Sequence, residues 1–224
     1  SNMNKLNHIA FIMDGNGRWG KKKGKSRNFG HLKGVENVKK IVKSAIKLKI
    51  PIVTFYVFSS ENWKRPKHER SYLFRLIKNY FNREIENIIN QGIKINILGE
   101  IQKFSSDLKF TLEKCSKLTK KNKKIIVNLA INYGSKMEIF QTLKKSKTKL
   151  TVKNFEKNLY TKGMPDPDIL VRTGGYQRLS NFLLWQVAYT ELFFLKKLWP
   201  DFNSKDLSII VKKFKKIQRN YGNI

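Results

Sequence analysis

Apolar residues fall in short runs bounded by turn residues at 8–13, 52–58, 93–98, 125–131, 169–172 and 192–195, and each run predicts a strand. Between them the period changes from two to nearly four. Val38, Ile41, Val42, Ala45 and Ile46 share one face of a helix predicted over 35–48. Apolar residues at 73, 76, 77, 80, 81, 85, 88 and 89 mark a second over 72–89, which starts after Pro66 and stops before Gly92. Leu108, Leu112, Cys115 and Leu118 follow the same spacing, which predicts a buried Cys115. Alternating strands and helices predict an α/β fold, a single domain over 1–224 with a mostly parallel six-stranded sheet flanked by helices. Ser1 and Asn2 precede the first methionine and read as a tag scar. In open α/β sheets ligands bind beyond the carboxyl ends of strands. Polar clusters follow three of the strands here, at 14–31, 59–66 and 172–182.

Charge narrows the classes of partner. Lys plus Arg number 47 against 16 Asp plus Glu, a formal net charge of +31, which attracts nucleic acid, anionic lipid or a polyanionic substrate. The lysines are spread along the chain, and either solvated helix faces or a compositional bias explains many of them. One cysteine excludes an intrachain disulfide and a cysteine-rich zinc site. The histidines at 8, 31 and 68 have no metal-ligand spacing, so a metal is expected to be held by carboxylates and substrate oxygens, as magnesium is. No apolar run reaches the roughly 18 residues of a membrane span, and no signal-peptide core is evident, so a cytoplasmic chain is expected.

The first polar cluster, DGNGRWGKKKGKSRNFGH, combines glycines, a run of Lys and Arg, one carboxylate and one imidazole, the chemistry of a site for phosphorylated anions. Two better-known phosphate motifs nearly fit. Gly15, Gly17 and Gly20 satisfy G-x-G-x-x-G after a strand, but the carboxylate at the required distance, Glu36, lies among helix-like residues, and Arg18 and Trp19 crowd the turn. Gly24-Lys25-Ser26 resembles a P-loop tail, but Trp19 stands where the first glycine belongs. Lys21 to Lys23 read equally as a solvated lysine-rich loop.

DGNGRW, FSSENWKRP and RTGGxxRLSNFLLWQxAYxEL, in this order and spacing, resemble the motifs of the cis-prenyltransferases, closely those of the bacterial undecaprenyl diphosphate synthases, over essentially the whole chain. The resemblance implies a magnesium-dependent enzyme that adds isopentenyl diphosphate in cis to an allylic diphosphate, with farnesyl diphosphate as primer, making the polyprenyl lipid carrier for cell-wall glycans. It also implies a homodimer that contacts the inner face of the membrane peripherally. A non-catalytic nucleic-acid-binding protein is the competing class; no recognised nucleic-acid module is present, and no nucleic-acid partner is expected.

Residue by residue, the resemblance makes Asp14 a catalytic magnesium ligand and assigns Gly15, Asn16, Gly17, Arg18, Arg27 and His31 to the allylic diphosphate. Arg172, Arg178 and Ser180, with Leu179 between them, match positions that hold isopentenyl diphosphate. Glu191 matches a carboxylate that completes the metal site, from the same or the neighbouring subunit, or is a plain surface glutamate. Asn62 matches a residue assisting proton removal, although a neutral amide can only orient or relay. Ser59, Ser60, Glu61, Arg65 and Glu69 belong to the second, loop-ordering motif, and Trp19 and Trp63 either shape the reaction centre or pack in the core. Tyr176 departs from the pattern, since many relatives carry an acid there, and the region 144–165 is shorter than in many of them. A growing chain requires an apolar tunnel, for which Leu73, Leu76, Ile77, Tyr80 and Phe81 are candidate walls, or ordinary core.

Overall fold

The computed structural model describes residues 3–224, so the reading of Ser1 and Asn2 lies outside the described residues. Six strands appear where the runs predicted them: β1 (His8–Ile12), β2 (Ile52–Ser59), β3 (Ile93–Leu98), β4 (Ile125–Tyr133), β5 (Ile169–Arg172) and β6 (Glu191–Phe194). Their order in the sheet is β3-β4-β2-β1-β5-β6, and every pairing is parallel, so the sheet is wholly rather than mostly parallel. The helices are α1 (Asn16–Lys22), α2 (Arg27–Lys47), α3 (Lys67–Asn90), α4 (Ser106–Leu118), α5 (Ser135–Lys145), α6 (Val152–Glu156) and α7 (Ser204–Lys215).

Alternation along β1 assigns its side chains to two cores. Ile9 and Phe11 join Phe55, Ile41, Leu73, Ile77, Leu112, Trp199 and Phe214 beneath α2, α3, α4 and α7. Ala10 and Ile12 face the opposite side, against Tyr56, Leu170, Phe182 and Leu183. The central strands are buried on both faces, which is why they read as continuous apolar runs.

Two local expectations are corrected. The helix placed at 35–48 begins eight residues earlier at Arg27 because the Ser26 hydroxyl caps it, accepting the Phe29 N–H at 3.1 Å. Lys21 and Lys22 form the last turn of α1 rather than a loop. Cys115 is buried as predicted, but Leu118, at the frayed end of α4, is 49% exposed.

His8 is fully buried at the start of β1: Nδ1–H donates to Pro165 O at 2.8 Å, and Nε2 accepts the Thr54 hydroxyl at 2.6 Å. Burial, against the opposing pull of the Pro165 carbonyl, lowers its pKa from 6.5 to about 4. The neutral ring therefore favours the folded state fully above 6.5, and that contribution is lost progressively as pH falls toward 4, because the unfolded chain takes up the proton first. Urea titrations between about pH 7.5 and about pH 4.5 should show an acid loss of up to about 3 kcal/mol that is absent in His8→Gln.

Candidate functional site

Parallel register brings three loops to one level. Ile12 pairs with Tyr56 on one side and Arg172 on the other, so the chain leaves β1, β2 and β5 together at their carboxyl ends. Asp14 stands in the middle. Its N–H donates to Thr173 Oγ1 at 3.1 Å, and its carbonyl accepts the Thr173 hydroxyl at 2.9 Å and the Trp199 N–H at 3.1 Å. With its main chain so fixed, its carboxylate accepts Arg18 Nη2 at 3.2 Å on Oδ1 and Arg172 Nη2 at 3.1 Å on Oδ2. Gly15 follows with φ of +111°, a turn that a residue with a Cβ would strain, and its missing side chain leaves room for Leu198.

The helix after Gly15 lies unusually close to α2. A Cβ on Gly30 would fall 1.7 Å from Asn16 O, so the two helices touch backbone to backbone there. The glycines that mimicked a dinucleotide motif thus make a turn and a helix contact. Arg27, at the start of α2, lies across α1, with its guanidinium where a Gly17 side chain would be. Asn16 projects toward Gly34, and its Oδ1 is buried without a partner.

The loop after β2 is a tight turn over Ser60–Lys64, in which the Asn62 Oδ1 accepts the Ser59 N–H at 2.9 Å. That leaves the Asn62 amide NH2 to donate. At the start of α3, Glu69 is buried and reaches back to His31 Nε2 at 2.8 Å and Arg27 Nη2 at 3.4 Å. Burial alone would raise its pKa, but the His31 bond and the charges of Arg27 and Arg65 hold it below the ordinary carboxylate value. Burial also keeps His31 below its ordinary imidazole value, against the pull of Glu69.

The loop after β5 completes the cleft. The Arg172 side chain is only 6% exposed; Nη1 donates to Arg178 O and to Ser180 Oγ at 2.8 Å, while Nε is buried without a partner. Ser180, at φ of +49°, offers its carbonyl to the Tyr56 hydroxyl at 3.1 Å. The resulting cleft, about 210 Å³, is lined by Asp14, Gly15, Asn16, Gly17, Arg18, Arg27, His31, Ser59, Asn62, Arg65, Arg172 and Ser180. It opens onto an apolar cavity of about 70 Å³ between α2 and α3, lined by Leu73, Ile77, Tyr80 and Phe81, and beyond it one of about 50 Å³ ending at Lys39 and Glu84. Leu76 points elsewhere on α3 and lines neither cavity, a correction to the predicted wall.

Several predicted residues stand behind the cleft rather than in it. Trp19 donates to Asp201 Oδ1 at 2.9 Å and stacks on Phe29, and Trp63 packs with Phe58, Phe74 and Phe104, so both frame the loops. Ser60 and Glu61 join the second loop to the third, Glu61 accepting Asn181 Nδ2 at 2.8 Å. Glu69 braces His31, Leu179 packs under the sheet, and Arg178 turns its guanidinium to Tyr176. Glu191 is not brought to Asp14 within the chain: it pairs with Ile169 at the amino end of β5, the opposite end of the sheet, and lies 3.7 Å from Arg219 Nη1. Tyr56 and Thr173 were given no role in advance, although Thr173 lies within the RTGG motif directly after Arg172.

No group of three or more His, Cys, Asp or Glu suited to a metal occurs among the described residues. Among the described residues Asp14 is the only carboxylate lining the cleft; Asn16 lines it too, with its unpartnered Oδ1 buried against Gly34. This donor set fits magnesium only as an ion that brings substrate oxygens and water with it.

Residues 12–222 match a family model described as putative undecaprenyl diphosphate synthase. An isoprenyl transferase of Oceanobacillus iheyensis is 40% identical, over 97% of this chain and 90% of its own. A farnesyl-diphosphate-specific ditrans,polycis-undecaprenyl-diphosphate synthase of Wigglesworthia glossinidia brevipalpis is 42% identical, over 99% and 89%. Among solved structures, lavandulyl diphosphate synthase from Lavandula x intermedia, in complex with dimethylallyl diphosphate, superposes with a TM-score of 0.93 at 31% identity, covering 97% of this chain and 98% of its own. A probable undecaprenyl diphosphate synthase from Campylobacter jejuni gives 0.84 at 30% identity, over 99% and 100%.

The glycine contact between α1 and α2 sets where Asn16 and Arg27 stand. Gly30→Ala should therefore lower thermal stability by about 2 kcal/mol or more through overpacking. It should also weaken binding of inorganic diphosphate in calorimetry at a temperature where the variant is still folded.

Proposed function

Because the chain belongs to the undecaprenyl diphosphate synthase family of cis-prenyltransferases, we propose that it condenses isopentenyl diphosphate in cis onto farnesyl diphosphate and elongates the product to undecaprenyl diphosphate, the lipid carrier precursor for cell-wall glycans. The observation that carries this reading is one cleft with cationic side chains on three loops, opening directly onto an apolar gap between two helices. The allylic diphosphate occupies the side formed by Gly15 to Arg18, Arg27 and His31, with its hydrocarbon tail in the gap. Isopentenyl diphosphate lies toward Arg172, Arg178 and Ser180, where guanidinium forks match phosphate oxygens.

Holding the two ligands side by side supplies the proximity that the reaction needs. The allylic carbon–oxygen bond breaks, its electron pair leaving with diphosphate, and the isopentenyl double bond attacks the allylic carbon to form the new carbon–carbon bond. Loss of a proton from the adjacent carbon restores an allylic diphosphate one unit longer. Arg18 and Arg27 stabilise the charge developing on the leaving oxygens, while neutral His31, its Nε2–H donated to Glu69, shapes that side of the site. Asn62, with its oxygen engaged by Ser59, donates rather than accepts, so it orients substrate while phosphate or water takes the proton. Magnesium held by Asp14, when bound, adds electrophilic neutralisation of the leaving diphosphate.

Assembly as a homodimer belongs to the same reading. Glu191 starts the edge strand β6 beside exposed Tyr189 and Leu192, and α5 exposes Met137 and Phe140, apolar surface that a second copy would cover. From that edge Glu191 would serve a neighbouring copy's metal site. Among the described residues no helix is long and apolar enough to cross a membrane, and the +31 charge supports peripheral attachment to anionic lipid at the inner membrane face, with the chain otherwise in the cytoplasm.

Labelled isopentenyl diphosphate should be incorporated onto farnesyl diphosphate in magnesium and not after chelation, and Asp14→Ala should reduce the rate by a factor of about 100 or more. No incorporation by the wild-type protein would sink the reading. Val38→Phe, which fills the narrowing between the two apolar cavities, should shift product chromatograms toward shorter chains without lowering the first condensation rate.

A further inference from the structure

Tyr176 takes no part in the chemistry above, yet its ring meets one arginine from each proposed diphosphate side. The Arg18 guanidinium lies 5.0 Å from its ring centroid and the Arg178 guanidinium 4.3 Å, both within the range of cation–π attraction. Arg18 is further held by Asp14 and by Gly174 O at 2.9 Å, whereas Arg178 forms no ion pair among the described residues, leaving the ring as its partner.

The loop that carries Tyr176 is fixed at its base. The Gly174 N–H donates to Lys197 O at 2.8 Å and the Gly175 N–H to Leu195 O at 2.9 Å. Gly174 packs so closely that a Cβ would lie 2.8 Å from Arg18 Nη2 and 2.9 Å from Asp14 Cβ. The ring itself is 43% exposed, so core packing does not account for its position. Two guanidiniums repel one another, and an aromatic face attracts each without adding charge.

We propose that Tyr176 is a positioning residue that gathers Arg18, from the allylic diphosphate side, and Arg178, from the isopentenyl diphosphate side, on one aromatic ring and so links the two subsites. The proposal rests on the assignment of these arginines to the two diphosphates. It is tested with the full-length protein by calorimetry with inorganic diphosphate and isopentenyl diphosphate in magnesium, alongside KM and kcat, for wild type, Tyr176→Phe and Tyr176→Leu. The Phe variant should stay within about twofold of wild type. The Leu variant should bind both ligands about 5- to 10-fold more weakly and raise both substrate KM values, with kcat within about twofold and unchanged melting. Leu binding as tightly as wild type, or Phe losing as much as Leu, would overturn it. If the wild type binds inorganic diphosphate but does not elongate, the catalytic reading fails while the calorimetric comparison still decides the role of Tyr176.

Discussion

Repulsion among like charges is the constraint around which this site is built. Arg18, Arg27, Arg65 and Arg172 line one cleft with Asp14 as its only lining carboxylate and Glu69 just behind. Two such charges roughly 8 Å apart repel by about 2 kcal/mol at the effective dielectric of a protein surface. Asp14 offsets part of that cost through Arg18 and Arg172, and Glu69 part through Arg27; the rest is borne by rigid packing: glycine contacts between α1 and α2, main-chain bonds to Asp14, and carbonyls that accept from Arg18 and Arg172. A polyanion with two phosphate groups relieves the repulsion at once. The cleft is thereby prepared for its ligands before they arrive.

One helix joins this charged end to the apolar one. Glu69, Leu73, Ile77 and Phe81 recur at intervals of four on α3, so they lie along a single stripe. The first braces His31, the second lines both the cleft and the cavity beyond it, and the last two line the cavity alone. A head that needs cations and a tail that needs hydrocarbon are therefore served by successive turns of one element. The far end returns to polarity at Lys39 and Glu84, paired at 3.0 Å across α2 and α3.

Much of this was legible in the sequence, and the remainder was not for physical reasons. Strands buried on both faces announce themselves as apolar runs, and the three polar clusters at their ends needed only the parallel-sheet rule to be brought together. The helix α1 was hidden because its glycines, poor helix formers, are explained by contacts with residues on α2. Leu76 matched the apolar period but lies one step round the helix from the lining stripe. Of the two readings of Trp19 and Trp63, wall or core, core packing holds for Trp63, whereas Trp19 is tied to Asp201 and Phe29 outside the cleft, since short motifs fix neighbours in sequence and not the direction of a ring. Which end of the sheet holds Glu191 was not legible, because strand direction within the sheet is set by tertiary pairing; it lies far from Asp14 of its own chain.

The order of the sheet also governs when the site can exist. β1 is synthesised before the other strands yet sits between β2 and β5, and Asp14 meets Arg172 at a separation of 158 positions. Contacts of such long range are slow to form, because chain closure must precede any gain from them. On the ribosome, the first loop would emerge with its arginines and lysines long before the strand that completes the cleft. An amino-terminal fragment that stops short of β5 would lack Arg172 and leave the Asp14 carboxylate with Arg18 alone.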